Sequence, residues 1–385
     1  LLRLARDGRR LLLQPHDFAE DGRPLLYGRL RRQLADGDIR RLSALLYPLA
    51  PQIHYAALTR RDRDFLAAAG VPTSQLHALP NAVSMGTTPD SGSSVRAHAQ
   101  QGRGDGRRLW LYPTRAIRRK NLGELLLWAA LAGAQDRFAA TQAPLNPQEQ
   151  PGYRQWVALA AELGLPMTFE AGAGGLAFRD LVASSHALVT TSIAEGFGLA
   201  FLEPWLLGRP LVGRDLPEIT ADFTDAGVRL PGLYEQLSVP LDWLDLPRLR
   251  SAFATVAAER ASAYGRPDAA AAERAWAHAV TDGRIDFGRL DEPVQTEIIR
   301  RLKGDPAARS ELGRSALTAP ADRGLVDANR AVIQAHYSVQ GYGERLAAIY
   351  GAMTQARPSA GFSAADGAAL LDRFLAPERL WLLRG

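Results

Sequence analysis

Two glutamates, Glu195 and Glu203, stand eight positions apart in the stretch TTSIAEGFGLAFLEPWLLGRPLV, with Gly-Phe-Gly between them. A carboxylate accepts hydrogen bonds from hydroxyl groups well. The preceding residues, HALVTTS, are apolar and β-favouring and predict a strand ending at Ser192. A helix is expected to begin near Gly198. A loop entering a helix presents unpaired N–H groups and the positive end of the helix dipole, which suits an anion. Gly198 would let a ligand approach the backbone closely. A carboxylate is a poor neighbour for phosphate itself, so the combination suggests a ligand carrying both phosphate and many hydroxyls, as a nucleotide sugar does. The same spacing also fits an ordinary strand-loop-helix unit with solvated glutamates.

A second group of residues carries positive charge. Of 46 basic residues, only Lys120 and Lys303 are lysines. Lys303 sits at a polar helix end and reads as a solvated charge. Lys120 lies in LYPTRAIRRKNLGELLLWAALA, five residues after Arg115, which ends an expected strand. Both cations would then lie at the carboxyl edge of a sheet, where a guanidinium fork and an ammonium suit a diphosphate. Arg118 and Arg119 read as solvated residues at a helix start. A third candidate is His16, followed by Asp17, after the apolar run LLLQP. The other six histidines read as structural.

Composition narrows the classes. There is no cysteine, so no disulfide framework, cysteine-held metal or thiol nucleophile is available. No run of 18 apolar residues and no signal peptide is visible. A cytoplasmic setting is expected. The net charge of +5 is modest, and the arginines are scattered rather than clustered, which argues against nucleic acid. A basic face leaves peripheral contact with anionic lipid open.

These residues need elements to hold them. Strands alternate with helices at a spacing that implies parallel sheets with helices on both faces, and ligands bind such sheets beyond the carboxyl ends of their strands. Residues 1–85 are expected to form a partial N-terminal Rossmann-like domain and 86–106, rich in Gly and Ser, a linker. Residues 107–354 are expected to form a second domain with a helical insertion at about 250–318. Residues 355–385 supply a last helix and tail, packing back on the N-terminal domain.

Taken together, the motifs resemble the retaining glycosyltransferases of the GT-B fold related to glycogen synthase and sucrose synthase. Glu195, Gly196, Phe197, Gly198, Leu199 and Glu203 match the family's Glu-x7-Glu motif. Arg115, Lys120 and Asn121 match its Arg-x4-Lys-Asn motif, with Thr114 and Ala116 replacing the usual Gly and Leu. LPNAV at 79–83 and GRPLVGRDLPEI at 208–219 resemble further segments of the family. The resemblance implies an α/β architecture of two Rossmann-like domains facing a cleft, the N-terminal one incomplete because only 15 residues precede His16. It implies a retaining hexosyl transfer from a nucleotide-diphosphate sugar to a sugar, glycan or small hydroxyl acceptor, with no further cofactor and no metal. Arg115 and Lys120 would grip the diphosphate, Glu203 the ribose and Glu195 the donor sugar. Asn121 and the backbone of Gly196–Leu199 would complete the donor site, with His16 facing the sugar from the other domain. The loop around Phe169–Gly175 would contact the base. The alternative is a catalytically weak glycosyltransferase-like scaffold or partner subunit. A pyridoxal-phosphate phosphorylase of the same fold lacks a suitably placed lysine.

Overall fold

The computed structural model describes residues 2–84, 106–173, 177–313, 317–320 and 322–384. The expected linker at 86–106 lies almost wholly outside them, as do Gly174 and Gly175 of the expected base loop. The chain divides into two compact units. The first comprises Leu1–Val83, Leu246–Ala279 and Ala335–Gly385, the second Ser84–Asp245 and Val280–Gln334. Among the described residues, no helix is long and apolar enough to cross a membrane.

The first unit is built on a three-stranded parallel sheet with Ile53–Ala57 between Leu11–Leu13 and Leu76–Ala78. The central strand, IHYAA, is buried throughout, as a strand covered on both faces requires. Thr59 caps the following helix, Arg60–Ala68, by accepting the Asp62 N–H at 3.1 Å. Phe18, Tyr55, Leu66, Leu370 and Phe374 form the core. The helix Leu246–Tyr264, expected within an insertion of the second domain, belongs here instead. Its Tyr264 packs against Tyr27 with tilted rings at 4.9 Å, and its hydroxyl accepts the Arg23 N–H at 2.9 Å. Burial of two aromatic rings outweighs chain order in placing this helix.

The second unit holds a six-stranded, wholly parallel sheet: Leu233–Tyr234, Leu211–Arg214, Ala187–Thr190, Arg108–Arg115, Asp136–Gln142 and Met167–Thr168, in that spatial order. Numbered along the chain, the strands run 3-2-1-4-5-6, the doubly wound order. Its direction reverses between Arg108–Arg115 and Ala187–Thr190, and in doubly wound sheets ligands bind beyond the carboxyl ends of the strands at such a point. Pro113 stands in the first of them. It lacks an N–H for the ladder, and the register shifts between Tyr112 and Arg115, so the strand carries an irregularity where it approaches that edge.

After this strand comes Leu122–Leu131, LGELLLWAAL, an apolar helix buried over most of its length. Arg309 donates to its last carbonyls, Leu131 O at 3.0 Å and Ala132 O at 2.8 Å, supplying partners that the helix end lacks. A small antiparallel sheet, Ser238–Pro240, Arg284–Asp286 and Val280–Thr281, and the helix Glu292–Gly304, capped by Asp291, belong to the same unit, with the helices Gln150–Glu162, Phe178–Ser184, Pro217–Asp225 and Pro306–Gly313.

Candidate diphosphate and sugar site

The two loops that leave the switch-point strands are bonded to each other. After Arg115 the chain forms a 3-10 turn, Arg118–Lys120, and enters its helix through Asn121 in the left-handed region at φ 48°. Asparagine tolerates that conformation better than most residues. The Thr191 hydroxyl donates to the Lys120 carbonyl at 2.9 Å and the Tyr112 hydroxyl to the same oxygen at 3.2 Å. The Ile193 N–H donates to the Arg119 carbonyl at 3.0 Å. These bonds bring two sequence-distant side chains together. Glu195 accepts from Arg119 Nη1 at 2.9 Å and forms a close ion pair with Lys120 Nζ. Arg119 also donates to the Ala194 carbonyl at 2.6 Å.

Glu195 and Lys120 are largely out of water, their side chains 9% and 13% exposed. Burial pushes the Glu195 carboxyl upward, but Lys120 and Arg119 outweigh it and hold the group below its ordinary value. Burial, helped by Arg119, brings the Lys120 ammonium below its ordinary value, while Glu195 and Glu203 pull it up. Burial lifts the Glu203 carboxyl, with Lys120 opposing. Lys120 therefore lies within electrostatic reach of both glutamates of the motif. Arg115 ends its strand exposed on the same sheet edge.

The Gly-Phe-Gly turn differs from expectation in two ways. No continuous helix starts at Gly198. A 3-10 turn, Leu199–Phe201, is followed by a four-residue helix, Glu203–Leu206. Pro204 has no N–H to bond back to Ala200, and its ring crowds that carbonyl, so the helix restarts at Glu203. Glu203 is thus the first residue of a short helix rather than one or two turns inside a long one. The requirement for glycine at 198 is also internal. Its φ is +94°, and a Cβ there would meet Ile219 Cγ2 at 2.7 Å and Phe201 Cδ2 at 2.9 Å. Phe197 is buried against Phe223, edge to face at 5.5 Å, and Leu199 is exposed. Gly196 lies between Glu195 and this buried ring.

Asn121 is not free to touch a ligand through its side chain. It is buried, donates to Glu124 Oε2 at 2.8 Å and accepts from Gln295 Nε2 at 3.0 Å. Behind it lies a buried ionic network. Arg214 bonds Glu124 at 2.6–3.1 Å and Asp286 at 2.8 and 2.9 Å. The Tyr234 hydroxyl donates to Glu124 at 2.7 Å. This network anchors the helix that follows Lys120 to the strands Leu211–Arg214 and Arg284–Asp286. His16 lies in the first unit, on an exposed bend after Leu11–Leu13, next to Asp17, which pairs with Arg23 at 2.8 Å.

No protein-family model matches the chain. The chain is similar to HepE from Anabaena, a structure solved with UDP and glucose and also with UDP-glucose. The TM-score is 0.51 with UDP and glucose, at 14% identity, covering 91% of this chain and 75% of that one. The fold is of the GT-B type. It is also 24% identical over 260 residues to mannosylglucosyl-3-phosphoglycerate synthase of Petrotoga mobilis, a match over 63% of this chain and 47% of that protein. The chain thus spans about half the length of the curated relative it matches.

Within this GT-B-type chain, sequence reasoning missed Arg119. It was read as a solvated residue at a helix start, yet it shares Glu195 with Lys120. Its neighbour Arg118 does serve structure, pairing with Glu292 at 2.6 Å while its backbone N–H donates to Glu149 at 2.9 Å. Nothing in the run Arg118-Arg119-Lys120 separates the two arginines. Only the turn geometry sends one toward Glu195 and the other toward Glu292.

Proposed function

We propose that this chain is a retaining glycosyltransferase that moves a hexose from a nucleotide-diphosphate sugar to an acceptor hydroxyl. The observation that carries the reading is the meeting of Arg119, Lys120 and Glu195 at the switch point of a doubly wound sheet. Two cations there suit a diphosphate, and the neighbouring acidic groups suit sugar hydroxyls. HepE, solved in complex with UDP and with UDP-glucose, supports the same ligand class.

In the proposed reaction the bond from the sugar anomeric carbon to the phosphate oxygen breaks. The acceptor oxygen bonds to that carbon from the same face, and its proton passes to the departing phosphate. Arg115, Lys120 and Arg119 stabilise the charge growing on the diphosphate. One such preorganised donor is typically worth ~2.7–4 kcal/mol of barrier. Glu195 accepts from the donor sugar, Glu203 from the ribose, and the backbone of Gly196–Leu199 adds N–H donors. His16 is a further catalytic candidate. Neutralisation by these cations makes a metal unnecessary to the scheme.

The test is a transfer assay with UDP-, GDP- and ADP-hexoses, with anomeric configuration read by NMR. An α-linked donor giving an α-linked product supports the proposal, and a β-linked product refutes retention. Saturable nucleotide binding without transfer to any acceptor would favour a scaffold role instead.

A further inference from the structure

Arg260, on the helix Leu246–Tyr264 of the first unit, is 6% exposed. Its guanidinium donates to two backbone carbonyls, Phe374 O at 3.2 Å and Arg379 O at 3.3 Å, and its Nε has no partner. Among the described residues, no carboxylate pairs with it. Asp21 acts on it from a distance but already serves Arg384 at 2.9 Å, Arg379 at 3.2 Å and Arg61 at 3.8 Å. A buried charge without a counter-charge is costly.

Arg260 lines a cavity of about 450 Å3 between its own helix, the helix Ala271–Ala279 and residues 372–380. That volume falls in the range of small-molecule sites. Arg266 and Arg274 stand on the same wall, paired with Asp372 and Asp268. The lining therefore carries three guanidiniums against two carboxylates. Ala257, Leu375 and Leu380 supply apolar surface. Guanidinium forks match phosphate oxygens two at a time, and an incoming dianion would supply the counter-charge Arg260 lacks.

We propose that this cavity binds a small phosphorylated solute, with Arg260 as its buried charge partner and Arg266 and Arg274 as its rim. All of these residues lie in the first unit, so the proposal stands apart from the nucleotide-sugar reading.

The test is calorimetric titration of the whole chain with glycerol 3-phosphate, run on the wild type and on Lys120→Ala, which takes the diphosphate candidate out of the readout. Saturable binding that survives in Lys120→Ala, and falls at least about tenfold in Arg260→Gln, supports the site. Arg260 also holds backbone carbonyls, so its variant could misfold. The double variant Arg266→Ala/Arg274→Ala changes only partly exposed rim residues and should weaken binding several-fold with an unchanged circular dichroism spectrum. Absence of saturable binding to the wild type, loss of binding in Lys120→Ala, or wild-type affinity in the rim double variant each overturns the proposal. Vesicles containing phosphatidic acid separate two sources of the same chemistry. Competition assigns the site to a lipid headgroup, and lack of competition to a free solute.

Discussion

If Glu195 occupies the cations meant for a diphosphate, it competes with the nucleotide, and Glu195→Gln should bind UDP more tightly. Removing one member of a buried ion pair commonly costs ~3–5 kcal/mol because the remaining charge is stranded. Here the remaining charges are Lys120, 13% exposed, and Arg119, 37% exposed, so water recovers part of that loss. A cost of ~1–2 kcal/mol to the free variant follows, and UDP would relieve it by supplying new negative charge. That corresponds to binding about 5- to 30-fold tighter than wild type. Calorimetric titration of both proteins with UDP, without sugar, reads the effect. Transfer should move the other way, falling on the order of 10²-fold, because the group proposed to meet the donor sugar is weakened. Equal or weaker UDP binding by Glu195→Gln would refute the idea that the carboxylate and the diphosphate share these cations.

Glu20, buried and accepting from Tyr47 at 2.9 Å, is pushed up to about 7 by burial. The folded state then holds a proton that the unfolded state releases near pH 4.5, so stability should decline by ~3 kcal/mol as pH rises from about 4.5 to 7. Urea unfolding of Glu20→Gln should show that slope removed, and an unchanged slope would contradict the assignment. Arg214→Met should strand the buried carboxylates of Glu124 and Asp286 and cost ~3–5 kcal/mol. The triple change Arg214→Met/Glu124→Leu/Asp286→Leu should recover most of it, as measured by urea midpoints at a constant m-value.

Much of the second unit is legible in its sequence because its strands are short apolar runs between helices. The strand Asp136–Gln142 is the exception. DRFAATQ has no aliphatic β-branched residue and polar ends, so it lacks a strand signal, yet Phe138, Ala139 and Ala140 are buried inside the sheet. The relation of Lys120 to Glu195 followed from placing both at strand ends, whereas the part played by Arg119 depends on the pitch of one 3-10 turn. Gly198 is expected to let a ligand approach, but the structure gives a different, internal reason for a glycine there. Its glycine is demanded by a positive φ and by Ile219 and Phe201, which no motif spacing reports. Asn121 is expected in the donor site and Arg214 is given no role by its motif, yet each is buried by partners far along the chain, Gln295 and Asp286. The helix Leu246–Tyr264 gives no sign in its alanine-rich sequence of which unit it joins. That is decided by Tyr264 finding Tyr27.

The claim on which the functional account turns is that cations at the switch point hold a nucleotide diphosphate. Parallel titration of the wild type and Lys120→Ala with UDP, GDP and ADP tests it. The account predicts saturable binding of at least one nucleotide by the wild type, weakened about 10- to 100-fold in Lys120→Ala. An affinity that Lys120→Ala leaves unchanged would contradict it.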